Sequence, residues 1–120
     1  MIKFKRLNHV HICVPDERLE EARAFYTDII GLKRITRPDE SFNAPGYWFA
    51  INYIELHIGI ETAMPRSIRH YAFEVDDITA AKTHLQNNSV EIMEDSVIPG
   101  RSRFSFFDPF GNRVELLQML

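Results

Sequence analysis

Two histidines and two glutamates stand in otherwise apolar, strand-like stretches of this chain: His9, Glu55, His70 and Glu115. A titratable side chain in such a position is costly unless it has a partner. His9 precedes Glu55 by 46 positions, and His70 precedes Glu115 by 45. Two imidazoles and two carboxylates suit a divalent ion such as Zn, Ni, Fe, Mn or Co, with open positions left to water. The same groups would also suit a polar cleft filled by water and His–Glu hydrogen bonds. A lone strand histidine is more often structural than a ligand, so the repetition of the pair carries the argument for metal.

The segments that must position these residues repeat as well. Leu7 to Val14 alternates Val10, Ile12 and Val14 with His9, His11 and Cys13, the period of a strand. Pro15 stops it, and Asp16 is the expected cap of a helix whose Leu19, Ala22, Phe25, Tyr26, Ile29 and Ile30 form one apolar stripe. Gly31 ends that helix. Strands are then expected over Leu32–Thr36, Tyr47–Ile51 and Tyr53–Ile58, with a polar loop from Arg37 to Gly46. After a linker, Thr62 to Ser67, the pattern restarts. Ile68–Val75 is a strand, Asp76-Asp77 a cap, and Ile78, Ala81 and Leu85 the inner face of a helix ended by Asn87-Asn88. Val90–Met93, Arg103–Phe107 and Arg113–Leu117 complete it, with a turn at Asp108-Pro109-Phe110-Gly111-Asn112.

Aligned, Leu7–Asp16 matches Ile68–Asp77, so that His9 falls on His70 and Asp16 on Asp77. Asn52-Tyr53-Ile54-Glu55-Leu56 matches Asn112-Arg113-Val114-Glu115-Leu116. If the halves pair about a pseudo-twofold axis, both His–Glu pairs converge on one cleft. His57 lies two residues after Glu55 and shares its side of the strand, so a small change of alignment would make it the ligand instead. The repeat favours Glu55, because His57 falls on Leu117. His11 shares the face of His9 and joins Trp48, His57, Arg103 and Phe106 as a candidate substrate-binding residue. Trp48 and Phe106 would also serve as plain core, and Arg103 as a solvated strand charge.

His9-Val10, Phe25-Tyr26 followed by Gly31-Leu32, and Asp108-Pro109-Phe110-Gly111-Asn112-Arg113-Val114-Glu115 resemble the recurring motifs of the glyoxalase/bleomycin-resistance/dioxygenase (vicinal oxygen chelate) superfamily. The resemblance implies an α+β fold, two βαβββ modules (1–61 and 67–120) forming a half-open barrel within a single domain, 1–120. It carries the metal-ligand role onto His9, Glu55, His70 and Glu115, all four in the glyoxalase I-like pattern. The extradiol dioxygenases and the fosfomycin-resistance transferases resemble it but use three ligands, which correspond to His9, His70 and Glu115. Glutamate at 55 therefore leans toward a metal-dependent lyase or isomerase, with Glu55 or Glu115 as general base. The alternatives are an extradiol-type dioxygenase and a metal-free, bleomycin-resistance-like binding protein. A homodimer is the family's common state.

Bulk properties narrow the partners. At 120 residues one domain is expected. A net charge of −3 argues against nucleic acid or an anionic membrane and leaves a small molecule as the partner. The single cysteine, Cys13, allows no intrachain disulfide and fits a reducing compartment. With no signal peptide or membrane span expected, a cytoplasmic protein is the default.

Overall fold

The computed structural model describes all 120 residues, and the chain divides into two compact units, Met1–Ala63 and Met64–Leu120. The first unit runs β1 (His9–Val14), a 3-10 turn (Asp16–Arg18), α1 (Leu19–Ala24), a π-turn (Phe25–Ile29), β2 (Lys33–Ile35), a 3-10 turn (Asp39–Ser41), β3 (Tyr47–Ile51) and β4 (Ile54–Ile60). The second runs β5 (His70–Glu74), α2 (Ile78–Asn87), β6 (Met93–Glu94), β7 (Arg101–Phe107) and β8 (Arg113–Met119). Each unit is one βαβββ module with a four-stranded sheet. The orders are β1-β4-β3-β2 and β5-β8-β7-β6, in which the outer first strand lies parallel to the last. The α+β, tandem βαβββ fold expected from the repeat is the fold observed.

Alternation along the strands gives each sheet two unlike faces. In the first unit Ile12, Val14, Phe49, Leu56 and Ile58 turn to one side and are buried with Leu19, Ala22, Phe25 and Tyr26 of the helical segment. In the second, Phe104, Phe106, Val114 and Leu116 form the equivalent layer with Ile78 and Leu85 of α2. The opposite face of each sheet carries the histidines and glutamates.

Several local expectations are corrected. Asp16 lies inside the first 3-10 turn and makes no capping bond; Pro15 precedes that turn in extended conformation. Asp77 does cap α2, its carboxylate accepting from the Ala80 amide at 2.9 Å. The left-handed residue after α2 is Ser89 (φ 62°), while Asn88 keeps φ −101° and bonds back to the His84 carbonyl through Nδ2. Gly31, at φ +87°, does end the first helical segment, where the Leu32 amide reaches back to the Tyr26 carbonyl at 2.9 Å. The strand expected at Val90–Met93 is a two-residue bridge displaced to Met93–Glu94.

The two hairpins that deliver Glu55 and Glu115 are built differently. Asn52 occupies the left-handed region (φ 44°) in the short turn between β3 and β4. The β7–β8 turn is organised by buried Asp108, whose carboxylate accepts from the Phe110 and Asn112 amides and from Asn112 Nδ2 at 2.8–3.0 Å. This is the physical content of the Asp-Pro-Phe-Gly-Asn motif: it fixes where β8 starts, at Arg113, and Glu115 follows two residues later.

Candidate functional site

On the polar face of the first unit, His9 lies directly opposite Glu55 and His11 opposite His57, across the parallel β1–β4 pair. Trp48 of β3 lies opposite His57. Three rings consequently stack across three strands. Trp48 and His57 are 4.1 Å apart at 4°, and His57 and His9 are 4.1 Å apart at 17°. His57 is buried in the middle and contacts Glu55 Oε1 through Nε2 at 2.8 Å. A carboxylate oxygen can only accept, so His57 Nε2 carries the proton. His9 Nδ1 contacts the Asn8 amide oxygen at 2.9 Å and donates to it, the tautomer that in a neutral ring puts the lone pair on Nε2.

His11 extends the same face. Gly59 lies beside it, and a Cβ there would come within 2.7 Å of His11 Nε2, so glycine leaves the space the ring uses. Burial and the neighbouring His57, His9 and Arg37 hold the His11 imidazole below its ordinary pKa, with Glu61 opposing. Burial, followed by the charge and hydrogen bond of Glu61, pushes the Cys13 thiol up. At the edge of this unit, open clefts of about 350 and 390 Å³ run beside Arg34, Arg37, Asp39 and Tyr47; Trp48 lines the first and Phe42 the second.

The second unit keeps the pair and changes its surroundings. Here His70 lies opposite Arg113, and Glu115 opposite Ala72. His70 and Glu115 are thus offset by two residues, where His9 and Glu55 are level. His70 Nδ1 donates to the Ile68 carbonyl at 2.8 Å, the tautomer that in a neutral ring puts the lone pair on Nε2, and Nε2 faces Glu115 Oε1 at 3.7 Å. Arg103 NH1 donates to that same Oε1 at 2.6 Å. Behind it stands Asp95, which accepts from Ser105 Oγ at 2.5 Å and Arg113 NH2 at 2.9 Å and lies 3.8 Å from Arg103. Arg103 Nε and NH2 donate to the backbone carbonyl and hydroxyl of Ser96, both at 3.1 Å.

Of the residues singled out from sequence, His9, His11, Trp48, Glu55 and His57 share the polar face of the first unit. His70, Arg103 and Glu115 share that of the second. Phe106 does not: it lies opposite Val114 on the helix side of its sheet, 0% exposed, and belongs to the core. The alternation alone did not weigh Asp95, Ser105 and Arg113, the surroundings of the second pair. Only Ser105 had a local signal, the alternation of Arg103 and Ser105 with Phe104 and Phe106.

The donors suit a divalent ion, since each unit presents an imidazole anchored through Nδ1 with Nε2 open beside a glutamate. Within neither unit do three or more His, Cys, Asp or Glu gather so as to hold one. Each unit supplies a pair.

Fold and faces together define a tandem βαβββ protein with a His–Glu pair in each repeat. The chain belongs to the glyoxalase/bleomycin resistance protein/dioxygenase superfamily, whose family model matches residues 6–116. It is 34% identical to the uncharacterized protein YaeR of Escherichia coli K12, over 98% of this chain and 99% of that one. A crystal structure described as a glyoxalase family protein from Bacillus anthracis shares 36% identity, with a TM-score of 0.91 over 100% and 99% of the two chains. The fosfomycin resistance protein FosX of Listeria monocytogenes, solved with Mn(II) and a dihydroxypropylphosphonic acid, shares the fold. Its TM-score is 0.82 at 21% identity, over 98% of this chain and 95% of that one. No helix of the chain is long and apolar enough to cross a membrane.

Proposed function

We propose that this chain is a divalent-metal-dependent enzyme of the lyase or isomerase type, acting on a small substrate with two adjacent oxygen atoms. His9, Glu55, His70 and Glu115 are the ligands, and modules 1–61 and 67–120 act as one domain that pairs as a homodimer. The observation that carries this reading is the anchoring of both imidazoles through Nδ1. Asn8 holds His9 and the Ile68 carbonyl holds His70, which leaves Nε2 as the donor in each. FosX, a protein of the same fold, was solved with Mn(II).

A bound ion would supply Lewis-acid polarisation of the substrate's two oxygens. The chain's own residues divide the remaining work. Glu55 is the more exposed carboxylate, its side chain 38% accessible, and its partner is the neutral-capable His57. Of the four ligands it is the one that would leave the set and act as base, taking the proton from the carbon beside one of the substrate's two oxygens: the C–H bond breaks, the electron pair stays on the substrate, and Glu55 returns the proton to the adjacent carbon. Glu115 is held in place by Arg103 at 2.6 Å. The Trp48–His57–His9 stack offers a flat wall against which a planar substrate portion can rest.

Metal content of the untagged protein, before and after chelator, tests this. About one ion per chain is expected after loading with Ni, Zn, Fe or Mn, and His70→Ala should abolish its retention. If no ion is held and His70→Ala changes nothing, the reading is wrong. With metal bound, turnover of hemithioacetals but not catechols supports a lyase. The reverse would support an extradiol-type dioxygenase using His9, His70 and Glu115.

One observation favours a metal-free binding protein instead. Arg103 already neutralises Glu115, so that carboxylate has a cation without an ion. On that reading chelator-treated protein would bind aromatic compounds and quench the fluorescence of Trp48, the single tryptophan.

A further inference from the structure

Glu115 is held by a guanidinium that is itself bonded through each of its three nitrogens. All three nitrogens of the Arg103 fork are engaged. NH1 bonds Glu115 Oε1 at 2.6 Å, while Nε and NH2 bond the backbone and side chain of Ser96 at 3.1 Å. Its side chain is only 15% accessible. Asp95 backs the fork at 3.8 Å and is itself fixed by Ser105 and Arg113. A residue tied in this way is poorly placed to greet a substrate.

We infer that Arg103 is a positioning residue, not a substrate-binding one: with Asp95 and Ser96 it forms a clamp that sets the Glu115 carboxylate beside His70 Nε2. This inference rests on the metal-site reading. The physical reason for the clamp lies in the two-residue offset of β5 against β8. His70 is level with Arg113, not with Glu115, so the backbone register does not bring the two side chains together. A flexible glutamate at that offset would sample several rotamers, and a planar, bidentate-capable donor removes that freedom. In the first repeat the position equivalent to Arg103 is Trp48, opposite the residue two beyond the glutamate in each case. There the backbone already sets His9 level with Glu55, and no cation is supplied.

The test compares wild type with Arg103→Lys, Arg103→Ala, Asp95→Asn and Glu115→Gln, in two measurements. The first is made on metal-free protein. The Arg103 Nε–H proton is expected to exchange slowly in the 1H–15N spectrum of wild type, and faster in Asp95→Asn and Glu115→Gln. Fast exchange in wild type overturns the clamp. The second is Zn(II) affinity by competition with a chromophoric chelator. Removing an outer partner that orients a ligand should weaken binding about 10- to 100-fold in Arg103→Ala. Arg103→Lys should recover only part of the loss, since an ammonium keeps the charge and loses the fork. Unchanged or tighter Zn(II) binding in Arg103→Ala would show that Arg103 merely competes with the ion for Glu115, and would overturn the inference. Should Arg103→Ala fail to fold, the decision passes to Asp95→Asn and Arg103→Lys. Should wild type bind no Zn(II) while the Nε–H proton exchanges slowly, the metal-site reading fails and the clamp on Glu115 stands.

Discussion

Glu55 and Glu115 occupy the same place in the two repeats, each on the last strand of its sheet and on the polar face, yet their partners differ in kind. Glu55 bonds a histidine that is itself sandwiched between Trp48 and His9. Glu115 is buried and bonds an arginine backed by an aspartate. One substitution pattern accounts for the divergence. Where the first repeat has Trp48 opposite His57, the second has Arg103 opposite Leu117. The Leu117 side chain offers no hydrogen-bonding group, and the long guanidinium reaches the carboxylate two residues away. With an imidazole at 57, the carboxylate is taken by its own strand neighbour and the indole stacks behind it. The two repeats thus share their donors while the surroundings differ: one carboxylate is half-exposed beside a histidine and one is buried against an arginine.

The largest effect that tests this contrast is thermodynamic. Glu115→Ala strips the directly bonded carboxylate from an arginine only 15% accessible and leaves it Asp95, 3.8 Å away, as its remaining counter-charge; it should cost about 2 kcal/mol. Glu55→Ala removes a half-exposed carboxylate whose partner can remain neutral, and should cost about 0.5 kcal/mol. Urea unfolding of both variants measures the difference. Equal costs would mean that the two glutamates are held alike and that the asymmetry has no energetic content.

A smaller effect is expected from Trp48→Ala. The 4.1 Å stack on His57 contributes about 1 kcal/mol beyond simple burial, and its loss should free the His57 ring. Trp48→Phe should retain most of the stability, since an offset stack survives. Arg103 has no such aromatic stand-in, so Arg103→Phe should behave like Arg103→Ala. Urea midpoints together with the His57 ring resonances give both readings.

Much of this contrast was invisible in sequence, for reasons the two faces make plain. The repeat itself was legible because His9, Glu55, His70 and Glu115 interrupt apolar alternation, and alternation is a local, period-two signal. The turn at Asp108 was legible because its residue types have few other uses. Register was not. That His9 sits level with Glu55 while His70 sits level with Arg113 depends on pairing across some 45 positions, which no local period encodes. The same holds for the partners of Arg103. Asp95 and Ser96 lie in the irregular stretch after β6, and their meeting with β7 and β8 is a tertiary fact. The cap at Asp16 failed for a local reason. Pro15 leads directly into a 3-10 turn, so the aspartate sits one position inside the turn it was expected to precede.

The smallest expected effect lies at the far end of the first face. The alignment that sets His9 on His70 sets Cys13 on Glu74, so a thiol replaces a carboxylate at matching positions. Burial first, then the charge and hydrogen bond of Glu61, raise the Cys13 pKa. A raised pKa means less thiolate at a given pH, and the thiolate is the nucleophile. Alkylation by iodoacetamide near pH 8 should therefore be slower in the folded protein than in urea. Glu61→Gln removes the charge and leaves burial in place. The rate should rise severalfold, shifting the pH profile down, yet stay below that of the unfolded chain. A rate unmoved by Glu61→Gln would mean that burial alone governs Cys13. The polar face of the first repeat would then end at His11, and its contrast with the second would rest on Trp48, His57 and Arg103 alone.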